Sequence, residues 1–326
     1  MKKLLGLFLV VLFALSLNPL SLAQEKVNLE YKFQEGQTIF VLVLTQGQVN
    51  FQMPQSVQEQ GVPPAFPINM ALLMSMKTLK TYSDGAADIE FKFLDGKIEV
   101  MGQQTPMPPQ MASQSFRLRM GKKGNVIKLL TPLPTGQLSP FAGFDPNTMI
   151  QSMSILTVFP EEAVGVGDKW EKKLDLNLPF GKMTMLYKMN LTNFLEVENR
   201  KLAKIAFEMP PTPFAFAIPL SMGMPGPQLE VAQQQATAFN LTGEMQLKGE
   251  MLFDYNKGQI DSQVGSLKLT MEMGAPATSS APPGGLNISA IMKFKATFTE
   301  KKPNMPQNLS QIKITFPEEQ NQQQSK

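Results

Sequence analysis

Apolar and polar residues alternate with a period of two over much of this chain. In Val27-Asn28-Leu29-Glu30-Tyr31-Lys32-Phe33 every odd position is apolar and every even one polar, the pattern of a strand with one buried face. The same alternation returns over residues 88–93, 115–120, 173–178 and 182–191, and again over 239–255, 258–273, 287–298 and 311–316. Turn residues punctuate these runs at Ser83-Asp84-Gly85, Asp95-Gly96, Lys122-Lys123-Gly124-Asn125 and Asn256-Lys257-Gly258. Short turns between alternating runs favour antiparallel neighbours over βαβ units. The expected fold is therefore mainly β, a curved antiparallel sheet or half-barrel.

One prominent helix is expected near residues 145–159. Asp145 suits an N-cap, Pro146 suits the first helical position, and Met149, Ile150, Met153 and Leu156 recur at helical spacing before Pro160. A weaker helical pattern covers 229–237. Long Pro- and Met-rich connections separate the strands at 54–67, 105–114, 132–146, 210–227 and 274–285. Loops of that length are uncommon unless they are functional or disordered. The stretch 213–222 is too apolar to lie free in water and far shorter than the roughly 20 apolar residues that span a bilayer. Phe214, Phe216, Ile218, Leu220 and Met222 of that loop, with Phe66 and Ile68 of the first one, are the expected wall or lid of an apolar ligand cavity. The plainer alternative is that these loops cap the mouth of the sheet and hide core from water.

The first 23 residues carry the signs of a secretory signal peptide. Lys2 and Lys3 precede an apolar run from Leu4 to Leu17, and Ser21-Leu22-Ala23 places small residues before a cut ahead of Gln24. Residues 24–317 then form a single exported β domain, read as two lobes at 24–144 and 145–317. Residues 318–326 form a disordered Gln-rich tail. The mature chain is expected to be periplasmic or extracellular, with no transmembrane span.

Composition narrows the chemistry. The chain has no Cys and no His, so disulfides, thiol nucleophiles, Ser-His-Asp triads and histidine metal sites are excluded. With 30 basic against 27 acidic residues and no long basic run, nothing marks a nucleic-acid surface. The 23 methionines raise the question of Cu(I), which soft thioethers select. Most of them follow the apolar register of their strands and read as core filler; Met107, Met111, Met222 and Met224 are the loop exceptions. Glu161, Glu162 and Asp168, beside Trp170, are the one acidic group suggestive of glycoside chemistry. Their Pro/Gly surroundings fit a turn leading into a strand better. No cofactor is expected. The expected role is that of a non-catalytic envelope or extracellular protein binding a lipid or other apolar ligand, or an envelope protein, through its loops. A carboxylate-dependent hydrolase and a structural subunit of a surface assembly are the alternatives.

Three segments carry a resemblance: L-E-Y-K-F-x-x-G-Q at 29–37, F-P-E-E-A-V-G-V-G-D-K-W at 159–170, and D-Y-N-K-G-Q-I at 254–260. With its Phe-Pro…Val-Gly-Asp-x-Trp segment, the chain resembles an uncharacterised exported bacterial β-sheet family, a domain of unknown function. The resemblance implies export and a β fold, and it supplies no functional residue. In shape alone the expected half-barrel is similar to periplasmic lipoprotein carriers, whose antiparallel strands hold lipid in a concavity. N-terminal sequencing of the exported protein is expected to read Gln24-Glu25-Lys26; a secreted form still beginning at Met1 would overturn the signal-peptide reading.

Overall fold

The computed structural model describes residues 25–52, 63–106, 115–131, 158–178, 181–219, 238–274 and 286–315. The first meander is β1 (Thr38–Gln52), β2 (Ala65–Thr81), β3 (Ala87–Val100), the short β4 (Gln103–Pro106), β5 (Ser115–Met120) and β6 (Val126–Leu129). A second follows as β7 (Lys169–Leu178), β8 (Gly181–Val197), β9 (Arg200–Pro219), β10 (Ala238–Asp254), β11 (Gln259–Met273) and β12 (Leu286–Thr299). Because β1 pairs with β12, the two meanders make one 12-stranded sheet in the order β6-β5-β3-β2-β1-β12-β11-β10-β9-β8-β7, with β4 added to β3. Every pairing is antiparallel.

Residues paired across neighbouring strands point to the same side, so the register sorts the side chains into two faces. The inner face carries Ile39, Val41 and Val43 of β1, the even residues 66–76 of β2, and Ile288, Met292, Phe294 and Phe298 of β12. It continues through Leu267, Leu269 and Met271 of β11, Met245 and Met251 of β10, and Ile205, Phe207 and Phe214 of β9. On the other side Lys293, Lys295, Ser266, Lys268, Glu244 and Lys248 face outward. Part of that outer face is covered by the C-terminal segment. A 3-10 turn at Leu309–Gln311, capped by Asn308, is followed by Ile312 and Ile314, and these pack on Ala71. Beneath lies a buried Asn69–Glu99 hydrogen bond of 3.0 Å.

The sheet rolls around its inner face. The β5–β6 turn at Lys122 and the β10–β11 turn at Gly258 lie five strand spacings apart, about 24 Å if the sheet were flat. Yet two adjacent residues touch both: Tyr31 N donates to Lys122 O at 2.7 Å and Lys32 N to Gly258 O at 3.1 Å. Only a strong curl brings those turns together. Glycine permits it on the inner side. Gly249 and Gly265 are register partners, and a Cβ on either would lie 2.5 Å from the tip of Phe207 or Phe294. Phenyl rings therefore lie directly on bare backbone at the bend.

Several expectations need correction. The described residues hold no α-helix; the helix expected at 145–159 lies outside them as far as residue 157, and Val158, Phe159 and Pro160 are not helical. Their backbone is used elsewhere: Val158 O accepts the Trp170 indole N–H, and Phe159 N donates to Lys123 O. The pattern at 229–237 also lies outside the described residues. Asp95-Gly96 is not a turn. It lies within β3 beside a register shift against Leu73 and Met74, a bulge that bends the strand. Nor is 210–219 a loop, since β9 runs through it to Pro219. Its prolines are tolerated because β8 pairs with β9 only from Arg200 to Glu208, leaving the rest with β10 alone. The alternating runs at 27–33 and 311–315 bury their apolar positions but join no ladder beyond one bridge, Val27 to Val164.

Gly258 has φ +66°, and a Cβ there would meet Lys32 N at 2.4 Å and Glu30 O at 2.7 Å. Gly258→Ala is expected to cost about 1–3 kcal/mol, read as a lower urea midpoint; an unchanged midpoint would show that the contact between this turn and residues 30–32 contributes nothing.

Candidate apolar ligand site

The roll makes the inner face a trough with one closed end. Across β5, β3, β2, β1, β12, β11 and β10 no paired inner position carries a charge. Apolar residues gather into two cores on this face. One joins Leu29, Tyr31, Phe159 and Val164 to β7–β11, with Phe253 fully buried at its centre. The other joins Ile89, Phe93, Phe116 and Leu118, and Phe33 packs against both. Aromatic rings weld the closed end: Phe159 lies 4.5 Å from Phe253 and Tyr31 5.5 Å from Phe253, centroid to centroid.

The closure also has a charged component. Lys123, only 4% exposed, reaches Glu30 at 3.2 Å and the Leu29 carbonyl at 3.3 Å, while Lys122 reaches Glu30 at 3.3 Å. Burial pushes the Glu30 carboxyl up, but the two lysines outweigh it and hold the group below its ordinary value. At the β3–β5 edge the Arg119 guanidinium does the same to Asp88, at 2.7 Å, with Tyr82 adding a 2.8 Å hydrogen bond. Within the trough wall the Tyr187 phenol is pushed up to about 12 by burial, so it stays neutral, donating to Met185 Sδ at 3.4 Å.

Between the cores a cavity of about 170 Å³ remains at the closed end. Its wall crosses the roll: Met120 from β5, Ile89 and Phe91 from β3, Ile39 from β1, Phe298 from β12 and Ile260 from β11. Many inner side chains of β1, β2, β11 and β12 are only partly covered. Val43, Met70, Leu72, Leu267, Leu269 and Met292 are all half-buried.

Phe66 and Ile68 lie in β2 rather than in a loop, half-buried on the inner face, and Phe66 packs 5.3 Å from Phe51. Phe214 and Phe216 lie in β9 on the same face, stacked 5.1 Å apart and 9% exposed, so they belong to a strand and not to a loop, and neither they nor Phe66 and Ile68 line the 170 Å³ cavity. Ile218 continues that strand opposite Phe239. Leu220 and Met222 lie outside the described residues, as do Met107, Met111 and Met224. Among the described residues no group of three or more His, Cys, Asp or Glu could hold a metal ion. The acids near Trp170 do not converge. Glu161 and Glu162 are exposed, while Asp168 accepts from Gly165 N at 2.9 Å and pairs with Lys26 at 3.4 Å. The Gly165 N–H holds the Asp168 carboxyl below its usual value, and the Trp170 indole donates to Val158 O at 3.1 Å. The residues that sequence reasoning missed are those of β2 and β11 that floor the trough. Ile68, Met70, Leu72, Met74 and Met76 at every second position were the available signal, blurred by apolar Ala71 and Leu73 between them, which are buried on the other face.

No family model matches the chain, and no curated protein matches it. Among solved structures, one described as lipid–protein interactions in lipovitellin superposes on 87% of this chain and 28% of its own, with 10% identity and a TM-score of 0.42. This chain thus spans little more than a quarter of that one, and at such similarity neither a ligand nor a residue role passes across.

Both Glu30 and Asp88 have depressed folded values, so their stabilisation is complete above the unfolded carboxylate range and lost as pH falls through the folded values. Unfolding free energy is expected to be flat from about pH 7 to about pH 5 and to fall below about pH 4. Glu30→Gln should shrink that acid loss in urea titrations followed by Trp170 fluorescence; an identical profile would mean that the lysine pair at the closed end does not tighten it.

Proposed function

We propose that this protein is an exported, non-catalytic binding protein that carries an apolar ligand, a lipid by its chemistry, in the trough of its rolled sheet. One observation supports this most: the inner face is uncharged across seven neighbouring strands, yet many of its apolar side chains are only half-covered. Soluble chains rarely leave a wide apolar surface without a purpose, and large exposed patches mark ligand or partner sites. The methionines fit the same reading. Met70, Met74, Met76, Met245, Met271 and Met292 line one face, and flexible thioethers adapt to chains of varying shape. Burying a ten-carbon chain contributes about 8 kcal/mol gross, enough for binding after ordering costs. The basic and apolar start of the sequence at residues 1–23 supports an exported, periplasmic or extracellular, reading.

Protein purified from the envelope or medium of its own cells is expected to release an apolar species on organic extraction, seen as a mass adduct by native mass spectrometry. The extracted protein should then bind the neutral probe diphenylhexatriene with a rise in fluorescence. Failure of both would remove the carrier reading and leave the trough as ordinary core.

A further inference from the structure

We infer that the closed end of the trough holds a site for an uncharged oxygen of the ligand, a hydroxyl or carbonyl, read by Thr78 and Gln263. This rests on the apolar-ligand reading and specifies which end of the ligand enters first. Thr78 of β2 and Gln263 of β11 both point to the inner face, from walls separated by β1 and β12, and both line the 170 Å³ cavity. They are buried, 7% and 8% exposed, in a wall that also holds Ile39, Met76, Ile89 and Phe298, and Gln37 and Gln259, the latter donating to the former at 3.0 Å.

Their hydrogen-bonding capacity is not used up among the described residues. Gln263 donates one N–H to Met251 Sδ at 3.3 Å, and a thioether is a weak acceptor. Its second N–H and its carbonyl remain. The Thr78 backbone is satisfied through Gln37 O and Gly36 N, both at 2.9 Å, but its hydroxyl has no protein partner among the described residues. Both groups open onto the cavity, and a ligand oxygen that bonds to either gains a hydrogen bond inside a largely apolar wall. A ligand hydroxyl can accept from the Gln263 amide or donate to its carbonyl, and an ester or ketone oxygen can accept from the amide or from the Thr78 hydroxyl.

The charge of the site selects against a carboxylate. Among the residues that line the cavity the one Lys, Arg, Asp or Glu is Lys32, which is exposed and donates to the Asn256 carbonyl at 2.9 Å. An anion would therefore enter a largely apolar pocket whose one cation, at its exposed edge, is already engaged with a carbonyl. In size the cavity equals about five or six water volumes, room for a polar head and a few methylenes. The rest of the chain then runs along the half-covered Val43, Leu72, Leu267 and Met292.

Delipidated protein loaded with diphenylhexatriene tests this by displacement with 1-decanol, decane and decanoate at neutral pH. Decanol is expected to displace the probe at about tenfold lower concentration than decane or decanoate, the equivalent of one or two hydrogen bonds. In Gln263→Leu and in Thr78→Val, which alter opposite walls, that preference should shrink to within about twofold while probe binding is retained. Equal displacement by decanol and decane in the unaltered protein overturns the polar site and leaves the apolar trough standing. Preferred displacement by decanoate overturns the uncharged character of the site. No probe binding at all overturns the carrier reading and this inference with it.

Discussion

The roll of the sheet depends on residues 27–33. This segment joins no ladder, yet it donates hydrogen bonds to both the β5–β6 and the β10–β11 turns, and it inserts Leu29, Tyr31 and Phe33 between the walls. Without it a 12-stranded antiparallel sheet would present a wide apolar face to water. With it, the same face closes at one end and becomes a trough. The Glu30 contacts to Lys122 and Lys123 matter less for their own strength than for where they act, at the seam where two distant parts of one sheet meet.

Curvature at this seam needs side chains to be absent as much as present. Gly249 opposite Gly265 removes two Cβ atoms from the inner surface, and Phe207 and Phe294 occupy the space. The register shifts in β2–β3, β8–β9 and β9–β10 act in the same direction, since each bulge adds local twist and bend. Inner positions consequently differ in kind along one strand. Some are tightly buried core, as at Phe253 and Ile89; others are half-covered, as at Leu269 and Met292. The core and the binding surface proposed here are one continuous layer, divided by how far the sheet has closed.

Charge is kept to the outside and the seam. Asp168, Asp88 and Glu30, the carboxyls held below their ordinary values near the ends of the strands, are each engaged with a neighbouring cation, and the first is held mainly by a backbone N–H. Such groups brace turns and edges. Inside the trough the polar groups are instead neutral: an amide, a hydroxyl and a phenol kept protonated by burial. That division suits a site that holds neutral, mostly apolar matter.

Much of this was legible in the residues themselves, because period-two alternation reports which side chains share a face whatever the partner strand. It marked most of the strands, the turns at Ser83, Lys122 and Asn256, and the buried positions of 27–33 and 311–315. It failed where a local cue had two meanings. Asp95-Gly96 reads as a turn yet serves as a bulge, and the prolines of 210–219 read as a loop yet tolerate a strand paired on one side only. Phe66, Ile68, Phe214 and Phe216 read as loop residues, yet all four lie within strands, on β2 and β9. By itself, then, the sequence determined the two-faced strands, the exclusion of cysteine and histidine chemistry, and the apolar nature of the inner surface. The tertiary structure alone decided that β1 meets β12, that the sheet rolls until Lys122 and Gly258 share one segment, and that Thr78 and Gln263 line one cavity. Those are pairings between residues far apart in the chain, and a local pattern of hydrophobicity carries no information about which distant edge it will meet.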